Sequence, residues 1–376
     1  MIYFDNSATT FPKPKIMINA MADAMTNYIA NPGRSGHKLS IKSSEMVYNV
    51  REIVSDFFSL NNPTNVIFTH NATYGLNMVI KGVLKNGDHV ICTPFEHNSV
   101  LRPLNSINGI EISYIESNLD GEINADNIES LIKANTKLFI CMHASNVTGN
   151  IFPIYKISEI CKKHNILFLV DASQSAGYID IDIQKNIDFL VCPGHKGLYG
   201  PMGTGIVCIN CDFPLKTIID GGTGTNSKSL DMGDEYPERL ESGTLNVPGI
   251  IGLGESIKYI SKIGIDNIYQ NEMKLIKYMS CEMNKIEGIK ILGTKDLSKK
   301  VPIVSFVVDK KDSTLISRFL DEKYSICVRG LYHCAYGAHR AIGSEKNGAT
   351  RVSLGMFNTK EEVETFIYEL KYIIKL

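Results

Sequence analysis

From about residue 15 to residue 210 the chain alternates short apolar runs with stretches of helical periodicity, and this alternation constrains its fold more than any other feature. The apolar runs fall at 66–68, 90–92, 110–114, 138–142, 166–170 and 189–192. Helical patterns lie between most of them, as at 75–84 and 154–163. A helix over 16–28 is opened by Pro12 and Pro14 and stopped by Asn31-Pro32-Gly33. Val47, Val50, Val54 and Phe57 recur at helical spacing. Buried strands separated by helices form a mainly parallel sheet with both faces covered, because each crossover lays a helix on the sheet. Ligands of such sheets bind beyond the carboxyl ends of the strands. The residues directly after each run are therefore the candidates for chemistry.

After a helical stretch at 250–263 the pattern changes. Strand-like runs at 289–292, 303–308, 326–329 and 350–354, with helical stretches at 314–322 and 360–374, predict a second, smaller α/β unit. A chain of 376 residues exceeds one typical domain. We expect a large domain over 15–255 and a small C-terminal domain over 256–376 that also takes residues 1–14.

The balance of 39 Lys and Arg against 40 Asp and Glu leaves a formal net charge of -1, which gives no electrostatic case for a nucleic-acid or membrane-surface partner. No apolar run is long enough to span a bilayer, and Met1 to Asp5 shows no basic-then-apolar leader pattern, so the cytoplasm is expected. The 9 cysteines are odd in number and scattered, which argues against a disulfide framework and for a reducing compartment. Cys208 and Cys211 form a lone CxxC with no nearby His. It reads as small apolar side chains rather than a redox pair, and no metal site is expected.

The run at 166–170 ends on Asp171, with Gln174 three residues on. An acid there is either a cap for the following turn or the partner of a cation in the crevice, since a buried charge is costly alone. The run at 189–192 leads into Pro193-Gly194-His195-Lys196-Gly197. Lys196 and His195 taken singly read as surface residues. Paired with Asp171 they suggest a pyridoxal-5′-phosphate (PLP) site, which needs a lysine for a Schiff base and an acid opposite the pyridine nitrogen. After 66–68, the segment Asn71-Ala72-Thr73-Tyr74-Gly75 opens a helix. Free N–H groups at Ala72 and Thr73 could cradle a phosphate, or Thr73 is simply an N-cap. His97 follows the run at 90–92 and could stack on a cofactor ring; Asn146 follows the run at 138–142.

Late in the chain stands Arg329-Gly330-Leu331-Tyr332-His333-Cys334-Ala335. Cys334, with His333 and Arg329 nearby, reads either as an activated thiol or as an inert one. Arg351 sits inside a strand pattern and needs an anionic partner, a bidentate carboxylate or a surface ion pair.

These segments resemble the class V aminotransferase family, and within it the group II cysteine desulfurases, over nearly the whole chain. The resemblance runs from Tyr3-Phe4-Asp5-Asn6-Ser7-Ala8-Thr9-Thr10 through Arg34-Ser35-Gly36-His37, Val170-Asp171-Ala172-Ser173-Gln174 and Gly194-His195-Lys196. Its most specific part is Arg329 to Ala335, and Gly221 to Gly224 and Glu241 to Asn246 add to it. It implies the PLP-dependent transferase fold of type I. It also implies that Lys196 holds PLP and shuttles protons, Asp171 keeps the pyridine nitrogen protonated, and His97 stacks on the ring. Gln174 would bond the ring hydroxyl, and Thr73 and His195 the phosphate. Asn146 and Arg351, with Arg329, would hold the substrate carboxylate. Cys334 would take sulfur from cysteine as a persulfide and release alanine, and a homodimer and a sulfur- or selenium-acceptor protein would be the partners.

The chain departs from that family at Pro193, where a hydroxyl residue is usual, at Val247, where a Thr often reaches the partner subunit's phosphate, and at Tyr336, where Pro is usual. The alternatives to a cysteine desulfurase are a selenocysteine lyase, another class V aminotransferase or lyase in which Cys334 is incidental, and a non-catalytic sulfur-carrier scaffold.

Overall fold

The computed structural model describes residues 1–225 and 228–375. The chain opens with β1 (Ile2–Tyr3), α1 (Lys15–Asn27) and α2 (Lys38–Phe57). The main sheet is built from β2 (Val66–Thr69), β3 (His89–Cys92), β4 (Glu111–Tyr114), β5 (Thr136–Met142), β6 (Leu167–Asp171), β7 (Phe189–Pro193) and β8 (Gly205–Ile209). Between these strands run α3 (Ala72–Val83), α4 (Asn98–Asn105), the single turn α5 (Ile128–Leu131) and α6 (Ile154–Lys163). The seven strands lie in the order β2-β8-β7-β6-β5-β3-β4. All neighbours pair parallel except β8, which runs antiparallel to both β2 and β7. The mainly parallel sheet expected from the alternation is present. β8, which carries Cys208, is the strand that lets β2 and β7 share one sheet.

Two apolar layers cover this sheet. One joins α1, α2 and α6 to one face through Ala24, Val50 and Ile157, in one cluster with Phe139 and Phe168 of the strands. The other packs Leu76, Val79 and Val83 of α3 on Ile67, Val191 and Val207. α3 comes very close, because a Cβ at Gly75 would stand 2.7 Å from the Val207 side chain and 3.0 Å from that of Val191. A larger residue would lift the helix off the sheet and move its N-terminus away from the strand ends.

The C-terminal part holds α7 (Val247–Ile263), α8 (Ile265–Met283), β9 (Ile289–Leu292), β10 (Ile303–Val308), α9 (Ser313–Tyr324), β11 (Ile326–Cys327), α10 (Tyr336–Ala341), β12 (Thr350–Ser353) and α11 (Lys360–Lys375). β12-β10-β9 form an antiparallel sheet, and β1 pairs parallel with β11. Phe4 packs into the same cluster as Phe306, Leu320 and Phe366, so the N-terminal segment shares this core. The strand expected over 326–329 ends at Cys327, after which Arg329 makes an isolated bridge with Arg351. α8 was not anticipated, although Ile268, Ile276, Met279 and Met283 fall on its buried side. Among the described residues no helix is long and apolar enough to cross a membrane.

Candidate active site

The sheet places its carboxyl ends along one edge, where a cleft opens. Ala72, Thr73, His97, Asn146, Asp171, Gln174, His195 and Lys196 all line it, together with Asn71, Ser99 and Pro193. Backbone packing brings the acid and the lysine to this cleft. Gly177, at φ +89°, lies against the turn after Lys196, and a Cβ on it would stand 2.1 Å from the Gly197 carbonyl oxygen. Only glycine tolerates both that conformation and that approach, so the turns after β6 and β7 sit back to back.

Burial lowers the Lys196 ammonium to about 8, partly offset by the Asp171 charge and reinforced by Arg351 and Arg329. Burial raises Asp171, against a Ser173 N–H donated to its Oδ1 at 2.9 Å and the nearby Lys196 charge. An acid in this state favours a cation beside it. Burial, then Lys196, pushes His97 down to about 4. His97 caps α4, its Nδ1 accepting the Ser99 N–H at 3.0 Å, so the ring's hydrogen is on Nε2. Ser99 Oγ lies 2.9 Å from that Nδ1 and 2.7 Å from Thr73 Oγ1. Asn71, not Thr73, is the N-cap of α3, its Oδ1 accepting from Tyr74 N. The N–H groups of the first turn at Ala72 and Thr73 thus lie at the cleft, where an anion satisfies such groups. His195 Nδ1 is buried there without a protein partner. Gln174 donates Nε2–H to the Ser7 carbonyl at 3.2 Å. A phosphorylated pyridine fits this set: an amine, an acid, a neutral imidazole and a helix N-terminus with an unpartnered histidine nitrogen.

Arg351, Arg329 and Cys334 do not line the cleft. Arg351 is 1% exposed and pairs with Asp5, whose side chain is 21% exposed. Nη2 donates to Asp5 Oδ1 at 2.8 Å and Nη1 to the Asn146 carbonyl at 2.9 Å, while Nε is buried and unpartnered. Asp5 had no assigned role, yet it holds the cation expected for a substrate. The Cys334 loop is tied to the cleft by Asn146, whose Nδ2–H donates to the His333 carbonyl at 2.7 Å. Arg329 Nη2 lies 3.5 Å from the exposed Cys334 Sγ. His333 gives the thiol no help: it is buried, held neutral by that burial, and both ring nitrogens are engaged elsewhere. Val247 is buried in the first turn of α7 and packs in the core, whereas Thr244 before it is exposed. Tyr336 opens α10 and packs edge-on against Tyr332.

Glu96, the residue before His97, does not line the cleft. It is fully buried, and its Oε1 accepts the Thr93 hydroxyl at 2.7 Å and the Met142 N–H at 2.9 Å while Oε2 has no partner. Burial raises its carboxyl from 4.5 to about 8, with a smaller push from Asp171. Between those values the unfolded chain releases a proton that the folded chain keeps, so this group's contribution to stability falls as pH rises. Glu96→Gln mimics the protonated acid and removes that slope. The variant should gain stability relative to wild type as pH is raised from about 5 to about 8; parallel urea midpoints over that range would refute it.

The aminotransferase class-V family model matches residues 2–366. A probable cysteine desulfurase of Pyrococcus abyssi is 36% identical over 389 residues, covering 100% of this chain and 94% of that one. A probable cysteine desulfurase of Borreliella burgdorferi is also 36% identical, covering 100% and 92%. The apo structure of a cysteine desulfurase from Thermococcus onnurineus superposes with a TM-score of 0.93 at 34% identity, covering 100% of this chain and 94% of that one. On this evidence the chain belongs to the class-V aminotransferase family.

Proposed function

We propose that the chain is a PLP-dependent cysteine desulfurase that takes sulfur from L-cysteine, leaves alanine and carries the sulfur on Cys334. The carrying observation is the Asn146 bond to the His333 carbonyl, which couples the cleft to the residue before Cys334. Bound in the cleft, PLP supplies an electron sink for charge developing on the substrate's α-carbon. Lys196 would hold the cofactor and move protons at its Nζ, and Asp171 would serve as the anion for the pyridine nitrogen. His97 offers a neutral ring face and an Nε2–H. Asn146 and Arg351 bind the substrate carboxylate, with Asp5 aligning the guanidinium. Arg329 places its Nη2 beside the Cys334 sulfur. The Cys334 thiolate bonds to the substrate sulfur as the C–S bond breaks, and the carbon fragment takes a proton to leave as alanine. Side-by-side assays of sulfide from cysteine and selenide from selenocysteine test the reading. Release of selenide alone would replace it with a selenocysteine lyase.

The phosphate is assigned to the N-terminus of α3, Thr73 and His195. Pro193 has neither a hydroxyl nor an N–H to donate, so little redundancy remains. Thr73→Val should weaken PLP binding by about 1.5–3 kcal/mol, the worth of a charged hydrogen bond. Retention of PLP through extended dialysis equal to wild type would reassign the donor to Thr244 or Thr223.

The large domain is assigned to 15–255 and the small one to 256–376 with 1–14. We also propose a homodimer, supported by exposed Ile18, Met25, Leu39 and Ile41 on α1 and α2 and by the exposed loop Gly221 to Gly224. A monomer by light scattering at micromolar concentration would exclude it. Unpaired cysteines support a cytoplasmic setting, and the exposed Cys334 supports transfer of sulfur to an acceptor protein.

A further inference from the structure

Three residues of the Cys334 loop adopt left-handed backbone that side chains other than glycine rarely take: Leu331 at φ +77°, His333 at +51° and Cys334 at +59°. Behind them lies a chain of polar groups that the desulfurase reading does not use. His333 Nε2 is 3.2 Å from the Arg329 carbonyl, His333 Nδ1 is 3.3 Å from His339 Nε2, and His339 Nδ1 is 2.8 Å from Ser344 Oγ. The two imidazoles are 2% and 0% exposed and stack at 5.4 Å between centroids. Tyr332 packs edge-on against His339.

With all three contacts made as hydrogen bonds the hydrogens have one arrangement, and the Tyr332 backbone is a further partner of His339. A carbonyl only accepts, so His333 Nε2 carries its hydrogen and Nδ1 is bare. That Nδ1 accepts from His339 Nε2–H, and His339 Nδ1 in turn accepts the Ser344 hydroxyl. Both rings are neutral, and burial keeps His339 at about 4. The chain ends on Arg329, the residue whose guanidinium lies beside Cys334 Sγ. Arg329 is further held by backbone bonds to Arg351 in both directions.

We propose that His339 is a positioning residue: by donating to His333 it fixes the loop conformation in which Arg329 stays beside the thiol. The functional consequence rests on the reading of Cys334 as the sulfur-accepting thiol, but the geometry is testable without it. His339→Leu leaves His333 Nδ1 buried without a donor, whereas His339→Gln can restore an N–H near the position of Nε2.

The measurement is the rate of iodoacetamide alkylation at Cys334, followed by peptide mass spectrometry at neutral pH with no amino-acid substrate present. His339→Leu should slow it about tenfold, the size of one unsatisfied buried hydrogen-bonding group, and His339→Gln should return it to within about twofold of wild type. With cysteine as substrate, kcat should fall in step with the alkylation rate in His339→Leu and recover in His339→Gln. Wild-type alkylation in a folded His339→Leu protein overturns the proposal, as does equal slowing in the Leu and Gln variants, which would mean that His339 acts by packing alone. If His339→Leu does not fold, Ser344→Ala decides: a loss of about threefold supports the chain and an unchanged rate overturns it. Slowed alkylation in a protein that releases no sulfur would sustain the positioning role and strike only the desulfurase reading.

Discussion

Cys334→Ala is expected to keep bound PLP and to bind cysteine, yet to lose sulfide or persulfide formation by on the order of 10²-fold or more, about 3 kcal/mol in the barrier. The C–S bond of cysteine needs a nucleophile on sulfur, because a thiolate is a poor leaving group. Cys334 is exposed, and Arg329 at 3.5 Å is the cation beside its sulfur. No neighbouring base shares the task, since His333 has both nitrogens committed. Selenocysteine, with a weaker bond to carbon and a selenol that ionises readily, should lose less in the same variant. Single-turnover assays with the two amino acids make the comparison. Equal turnover of cysteine by wild type and variant would remove Cys334 from the mechanism.

The second large effect is expected at Lys196. Lys196→Ala should cut turnover by on the order of 10²–10⁴-fold, the range for a displaced acid–base group, and a small primary amine added to the buffer should restore part of it. Borohydride reduction of the wild-type holoenzyme followed by peptide mapping should place the label on Lys196; label on another lysine would sink the assignment. An amine attacks a carbonyl only when uncharged. Because burial brings Lys196 from 10.5 to about 8, the uncharged fraction grows as pH rises toward that value. PLP uptake by stripped protein should therefore accelerate with pH and level off above about 8 rather than near the ordinary lysine value. A rate still climbing tenfold per unit between about pH 9 and 10 would mean that the amine is not buried as described.

The alternation of apolar runs and helical stretches was enough to read a mainly parallel sheet, and the polar residues after each run did gather. Ala72, Thr73, His97, Asn146, Asp171, Gln174, His195 and Lys196 line one cleft because a parallel sheet brings its carboxyl ends to one edge. That inference needed only local periodicity and one general property of such sheets. Asn71 and Ser99 were within reach of the same reasoning. Asn is a preferred N-cap, and Ser99 stands two residues after His97 at the start of α4. α8 too carried a readable helical spacing.

Other features had no local signal. Asp5 and Arg351 pair across 346 residues, and nothing within either segment names the other. Glu96 reads as an ordinary loop acid until β5 closes over it and supplies the Met142 N–H. His339 sits six residues beyond His333, and only the turn of the Cys334 loop stacks one ring on the other. Side-chain alternation and helical spacing record which face of an element is buried, a property of neighbours in sequence. They do not record which distant side chain fills a given hydrogen-bonding site. That choice belongs to the packed chain, where each buried polar group must find its partner among residues that the topology brings within about 3 Å.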